Sequence, residues 1–169
     1  MAHDSLEPSP WVVRWAPLVT RGPLLDVASG AGRHSRLFTD LGVIAVDRDA
    51  QSIPGVRFVQ ADLEDGSPWP FTGQRFGGIV VTNYLHRPLL PVLAQSLAEQ
   101  GVLIYETFML GNEKFGKPSN PDFLLRPGEL LQAFANLAVV AFEQGQTERS
   151  VVQRICVIRG EAGSVRIPA

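Results

Sequence analysis

Leu24-Leu25-Asp26-Val27-Ala28-Ser29-Gly30-Ala31-Gly32-Arg33-His34 opens as a short apolar run, stops on small residues and restarts with polar ones. A strand feeding a glycine turn that opens a helix has this form. Glycine carries no Cβ and tolerates positive φ, so the backbone at Gly30 and Gly32 can come close to a bound molecule. The free N–H groups at the start of the following helix then face an anionic or polar group. A turn that binds nothing has the same form, and a glycine pair alone leaves the two readings about even. Position separates them. The turn follows the first strand, and doubly wound sheets hold ligands in the crevice beyond their strand ends.

The rest of the chain supplies the sheet. Within residues 1–20, Ser9 is expected to cap and Pro10 to start a helix, with Trp11, Val12, Trp15 and Leu18 at helical spacing and both tryptophans facing the core. Strands are expected at 23–28, 43–47, 56–60, 76–82 and 101–105. Helices are expected at 33–41, 48–53, 88–99 and 127–134, with His34 packed in the first turn of its helix. Residues 65–73 read as a surface connection and 109–125 as a long irregular loop. Two last strands, 137–142 and 151–159, are separated only by a polar turn around 145–149 and should pair antiparallel. Five alternations of strand and helix give a doubly wound, mostly parallel seven-stranded α/β sheet with a C-terminal antiparallel hairpin.

Bulk properties bound the function. A chain of 169 residues, 45% apolar and 19% charged, suits one globular domain. A net charge of -2 without a dense Lys/Arg run gives no footprint for nucleic acid or an anionic membrane, which weighs against an RNA or DNA substrate but leaves one open through a local basic patch. The single cysteine, Cys156, reads as a buried strand thiol in a reducing compartment. Met1-Ala-His-Asp-Ser5 lacks the pattern of a secretion signal, and no apolar run reaches spanning length. The expectation is a cytoplasmic monomer or homodimer without a metal, acting on a small molecule.

Two acids complete the glycine turn. Asp47 ends the second strand, where a carboxylate either accepts both hydroxyls of a ribose or caps the next turn. Asp62, after the third strand, either accepts from an exocyclic amine or sits as a surface turn acid. Three consecutive strands ending in Asp26-x-Ala-x-Gly-x-Gly, Asp47 and Asp62-Leu63 together describe a nucleoside pocket.

On these motifs the chain, from about Pro8 to Arg159, resembles the class I S-adenosylmethionine-dependent methyltransferases, and within them small bacterial enzymes similar to the tellurite-resistance type. The resemblance implies S-adenosyl-L-methionine as cofactor and methyl transfer as activity. It puts the cofactor's amino-acid end at Asp26, Ala28, Ser29, Gly30, Gly32 and Arg33, and the ribose at Asp47 beside Arg48. Adenine falls to Ala61, Asp62 and Leu63, and the methionine part passes Asn83, Tyr84 and Leu85. The chain departs from the pattern in three places. Ala28 stands for the first glycine, which the turn tolerates if that residue keeps ordinary backbone angles. The link from Gly32 to Asp47 is short, and Gly77 replaces an acid at the start of the fourth strand.

Methyl transfer from a sulfonium is an in-line displacement that needs alignment, exclusion of water and, for a protonated acceptor, a base. Tyr84, His86 and Glu106, at the ends of strands four and five, are the candidate catalytic residues. His86 has a neutral-range titration or simply bonds the backbone, and Glu106 orients substrate or pairs with Lys114 or Arg126. Arg87, Asn112, Lys114 and Phe115 are the candidate substrate contacts, the last three on a loop whose length suggests a lid over residues 109–125. Two other readings use the same residues. A nicotinamide-dependent oxidoreductase shares the turn and the ribose acid, but Asp62-Leu63 and the terminal hairpin speak against it. A non-catalytic methyltransferase-like binding or partner subunit draws on Ala28 and Gly77.

Overall fold

The computed structural model describes residues 7–169, so the reading of Met1–Ser5 lies outside the described part. Seven strands form one sheet: β1 (Leu24–Val27), β2 (Val43–Asp47), β3 (Val56–Gln60), β4 (Phe76–Thr82), β5 (Leu97–Phe108), β6 (Ala138–Gln146) and β7 (Val151–Ile158). Their order is β3-β2-β1-β4-β5-β7-β6, with β1 to β5 parallel and β7 antiparallel to both β5 and β6. This is the expected doubly wound sheet with its terminal hairpin. Because the chain reverses direction of winding at β1 and β4, their C-terminal ends border the crevice where such sheets hold ligands.

Strand alternation sends side chains to two cores. Leu25, Val27, Ile79, Leu103 and Tyr105 meet Leu90 and Leu93 of α2 (Leu90–Gln95) and Leu130 of α3 (Glu129–Ala133). Leu24, Val80, Ile104 and Cys156 meet Trp11, Val12 and Trp15 of α1 (Pro10–Trp15) on the other face. Ser9 caps α1 as expected, its side chain accepting from the Trp11 N–H at 3.2 Å. Burying each of these large side chains stabilises the fold by about 2–3 kcal/mol. Cys156 is buried, and desolvation pushes its thiol up to about 12. Among the described residues no helix is long and apolar enough to cross a membrane.

The helices depart most from expectation. Residues 35–41 form 3-10 turns broken at Phe38 (φ -129, ψ 17), because the short link spends Gly30 to Gly32 on the turn and Gly42, at φ 74, on the exit. Residues 48–53 form no helix. The Asp49 N–H turns back to Asp47 Oδ1 at 2.9 Å, and Pro54 keeps Ile53 out of helical angles. The helix expected over 88–99 stops at Gln95, and Leu97 joins β5 opposite Phe76. There the chain bulges through Gln100 at φ 64 into Gly101, where a Cβ would lie 2.8 Å from the Phe76 carbonyl oxygen.

Gly77 has a packing explanation. A Cβ there would collide with the Arg21 carbonyl, and its N–H donates to the Pro23 carbonyl at 3.0 Å. The missing acid reflects a close backbone approach at the N-terminal edge of β4, away from the crevice.

Candidate functional site

The ends of β1, β2 and β3 are laced together at Asp47. The Ser29 N–H donates to the Val46 carbonyl at 3.1 Å, and the Gly30 N–H donates to Asp47 Oδ2 at 2.9 Å. The Ala61 N–H donates to the Asp47 carbonyl at 3.0 Å. Ala28 has φ 54, Gly30 φ 52 and Gly32 φ 85. Ala28 therefore does not keep ordinary angles; it carries its Cβ in left-handed backbone, the conformation that glycine adopts without strain. Gly32 packs over Ile53, whose Cδ1 would be 2.8 Å from a Cβ.

These ends enclose a cavity of about 220 Å³ lined by Ala28, Asp47, Arg48, Ala61, Asp62, Leu63, Glu64 and Tyr84, together with Val46. Asp62 Oδ1 accepts from the Glu64 N–H at 2.9 Å, and among the described residues its other oxygen accepts nothing. A further space of about 580 Å³ continues from Asp62 and Leu63 past Trp69 and Leu89. Asp26 lies beneath the turn instead of in the cavity. It is buried and accepts from Ser35 Oγ at 2.6 Å. Burial pushes its carboxyl up to about 6, against the lowering effect of the Ser35 bond.

A second cavity, of about 770 Å³, adjoins the first and shares Glu64 and Tyr84 with it. Its walls come from Asn83 and Leu85 after β4, Thr107 and Phe108 at the end of β5, and the loop at Lys117–Asn120 and Phe123. Asn83 takes the β4 exit at φ 54, its N–H donating to the Glu106 carbonyl at 2.9 Å. Tyr105, buried below, donates its hydroxyl to the Tyr84 carbonyl at 2.7 Å. Where the cavities meet, Tyr84 donates its hydroxyl to Glu64 Oε2 at 3.1 Å, and His86 Nδ1 lies 3.6 Å from Glu64 Oε1. Burial first, and the Glu64 charge second, hold the Tyr84 phenol well above its usual range.

Glu106 is not at this meeting point. Along β5, Tyr105 and Thr107 face the second cavity's side, so strand parity sends Glu106 to the side of α1. Its Oε1 accepts from Ser9 Oγ at 2.7 Å, and its Oε2 is taken by Arg154, which also reaches Glu143 at 2.6 Å. His34, buried beside it, accepts from the Ser9 N–H through Nε2 at 2.9 Å. Arg33 donates to the Glu7 carbonyl at 3.1 Å.

The expected substrate contacts line neither cavity. Arg87 is a clamp: it binds both oxygens of Glu129, at 2.7 and 3.0 Å, and the carbonyls of Asp122 and Leu124. Asn112 is buried, tying the Pro118 carbonyl to the Val151 N–H. Lys114 and Phe115 are exposed outside both cavities. The loop instead brings Lys117 to Asn120 and Phe123 to the wall.

No family model matches the chain, and no curated protein does. Many solved structures do. TehB from Haemophilus influenzae superposes with a TM-score of 0.67 at 14% identity, over 88% of this chain and 61% of that one. Magnesium protoporphyrin IX methyltransferase (ChlM) from Synechocystis PCC 6803, with bound SAH, gives 0.62 at 14% identity, over 88% and 78%. The 1,6-didemethyltoxoflavin-N1-methyltransferase of Burkholderia thailandensis, with bound 1,6-didemethyltoxoflavin and S-adenosylhomocysteine, gives 0.59 at 18%, over 89% and 76%. The chain has the class I methyltransferase fold. It spans 61% of the length of TehB, and at these identities the likeness is one of fold.

Within that methyltransferase fold, the residue missed by sequence reasoning is Glu64, the carboxylate lining both cavities. Its only signal was its place two residues after Asp62, where it reads as one more surface acid. Lys117 and Phe123 carried no individual signal within the loop.

Proposed function

We propose that the protein is an S-adenosylmethionine-dependent methyltransferase for a small-molecule acceptor. The observation that carries this reading is the convergence of three strand ends on Asp47, at the mouth of a cavity that opens into a second, larger one. The residues present fit the cofactor. Asp47 retains lone pairs for ribose hydroxyls after accepting from Gly30 and Asp49, and Asp62 has an oxygen left for an exocyclic amine. Ala61 and Leu63 would flank the adenine, Arg48 its exposed edge, and the turn from Ser29 to Arg33 the amino-acid end, with Asp26 positioning that turn through Ser35. Asn83 and Leu85 would pass beside the methionine part.

When bound, S-adenosylmethionine supplies a methyl carbon made electrophilic by its sulfonium sulfur. The chain's own residues do the rest. Leu85, Phe108 and Phe123 exclude water from around the acceptor. Glu64, at the junction, accepts the proton of an acceptor hydroxyl or amine and passes it to solvent on its exposed side. Tyr84 and His86 hold that carboxylate in place, and Tyr84 stays protonated because its phenol is pushed up. This assigns to Glu64 the role that Glu106 was expected to fill.

A small acceptor is supported by the size of the second cavity and by ChlM and the toxoflavin enzyme, whose names give small ring compounds. Calorimetry with S-adenosylmethionine and S-adenosylhomocysteine tests the reading. Both should bind in the micromolar range, and Asp47→Ala should weaken both by about tenfold or more, as expected for charge-assisted hydrogen bonds. Tight binding of NADH with none of S-adenosylmethionine would overturn it.

A further inference from the structure

We infer that the second cavity takes an apolar, ring-bearing acceptor that also carries an anionic group, and that Lys117 binds that group. The inference rests on the methyl-transfer reading only for which end of the cavity is reactive. Two charged side chains line the space, Glu64 and Lys117. Glu64 is engaged by Tyr84 and His86. Among the described residues Lys117 has neither a carboxylate within ion-pair distance nor a hydrogen bond.

The neighbours of Lys117 sharpen the chemistry. Ser119 brings a hydroxyl to the same wall, and Asn120 spends its Oδ1 on the Asp122 N–H at 2.9 Å, which leaves its amide N–H groups to donate. This end therefore offers a cation and neutral donors, while Phe108, Phe123 and Tyr84 supply flat apolar surface. Lys117 is exposed, so water solvates its ammonium in the free protein. A cationic ligand would be repelled there, while an anionic one gains a charge-assisted contact that a neutral one lacks. The wall is also held in advance. Asn112 fixes the Pro118 carbonyl at 3.0 Å, and Arg87 fixes the carbonyls of Asp122 and Leu124 at 3.0 and 2.8 Å. Less order must be imposed when the anion arrives. Arg87, the other cation expected at substrate, is committed to Glu129 and outside the cavity.

The test uses naphthoate, naphthamide and naphthylmethylammonium as probes, with binding followed by ligand-observed NMR on protein saturated with S-adenosylhomocysteine. Naphthoate should bind about threefold to fivefold tighter than naphthamide, as expected for a pair with an exposed lysine, and the ammonium probe weakest. Lys117→Met should bring naphthoate to the naphthamide level while leaving naphthamide within about twofold, and Lys117→Arg should restore the difference. Equal binding of the three, a preference that survives in Lys117→Met, or no binding of any probe would overturn the inference. If S-adenosylhomocysteine itself fails to bind, the cofactor reading falls, and the same series on the protein alone still decides the role of Lys117.

Discussion

Ser9 Oγ donates to Glu106 Oε1 at 2.7 Å, joining the cap of α1 to the C-terminal end of β5 across 97 positions of sequence. The same serine gives its backbone N–H to His34, next to the glycine turn, and Glu106 is held from the other side by Arg154. One buried network thus fixes the N-terminal helix, the turn and the sheet relative to each other. Satisfied networks of this kind are worth more than their separate bonds, and removing one charged member strands the other.

Glu106→Gln is therefore expected to cost about 2–3 kcal/mol of stability in urea denaturation, and Ser9→Ala about 1–2 kcal/mol. The double variant should lose less than the sum. S-adenosylhomocysteine affinity in Glu106→Gln should stay within about threefold of the wild type, since the side chain lines neither cavity. Strict additivity would mean that the two residues do not act together.

His34 sets a pH dependence. Burial first, and the Arg33 charge second, hold its imidazole down to about 4 from 6.5. Between those values the unfolded chain binds a proton that the folded one does not, so the contribution of His34 is complete above the upper value and lost as pH falls toward the lower. Asp26 acts in the opposite sense: raised from 3.8 to about 6, its contribution is complete below the lower value and lost as pH rises through the upper. His34→Gln keeps an acceptor for Ser9 and isolates the first effect. Its stability relative to the wild type should rise by roughly 2–3 kcal/mol from about pH 7 to about pH 4.5. A constant difference would contradict the assignment.

Ala28 holds φ 54 with a Cβ. Ala28→Gly should be stabilising by about 0.5–1 kcal/mol, whereas Ala28→Val, branched at Cβ in left-handed backbone, should cost about 2 kcal/mol. Thermal unfolding of the three proteins checks the order Gly, Ala, Val. Such strain at the turn that lines the cavity is consistent with a functional site.

Arg87→Met removes both the Glu129 pair and two carbonyl contacts at 121–124. It should cost about 1–2 kcal/mol and speed limited proteolysis within residues 109–125, with S-adenosylhomocysteine affinity unchanged. Unaltered cleavage would show that the loop is held by its own 3-10 turns and by the Met109–Leu125 bridge.

How much of this was legible follows from which interactions decide each element. The runs 43–47 and 76–82 are mostly apolar and paired on both sides, while 56–60, with Arg57 and Gln60 among its apolar residues, is the edge strand; all three are strands over those same residues. Leu97 sits at helical spacing from Leu90 and Leu93, yet pairing with Phe76 claims it for β5, a long-range contact that no local pattern contains. Asp47 and Asp62 could be found because a strand end is a position in the sequence. Glu64 could not, because its place at the junction comes from Tyr84 and His86 reaching it from the segment after β4. The turn of Glu106 away from the cavity was implicit in parity with Leu103 and Tyr105. The loop had no periodicity from which to tell Lys117 from Lys114.

The convergence at Asp47 is best tested by a crystal structure of the protein grown with S-adenosylhomocysteine. Ribose hydroxyls within hydrogen-bond distance of the Asp47 carboxylate, adenine beside Asp62 and Leu63, and the sulfur facing Asn83 and Tyr84 are the expected result. Adenosine bound elsewhere on the molecule, or a saturated crystal with the cavity beside Asp47 empty, would contradict it.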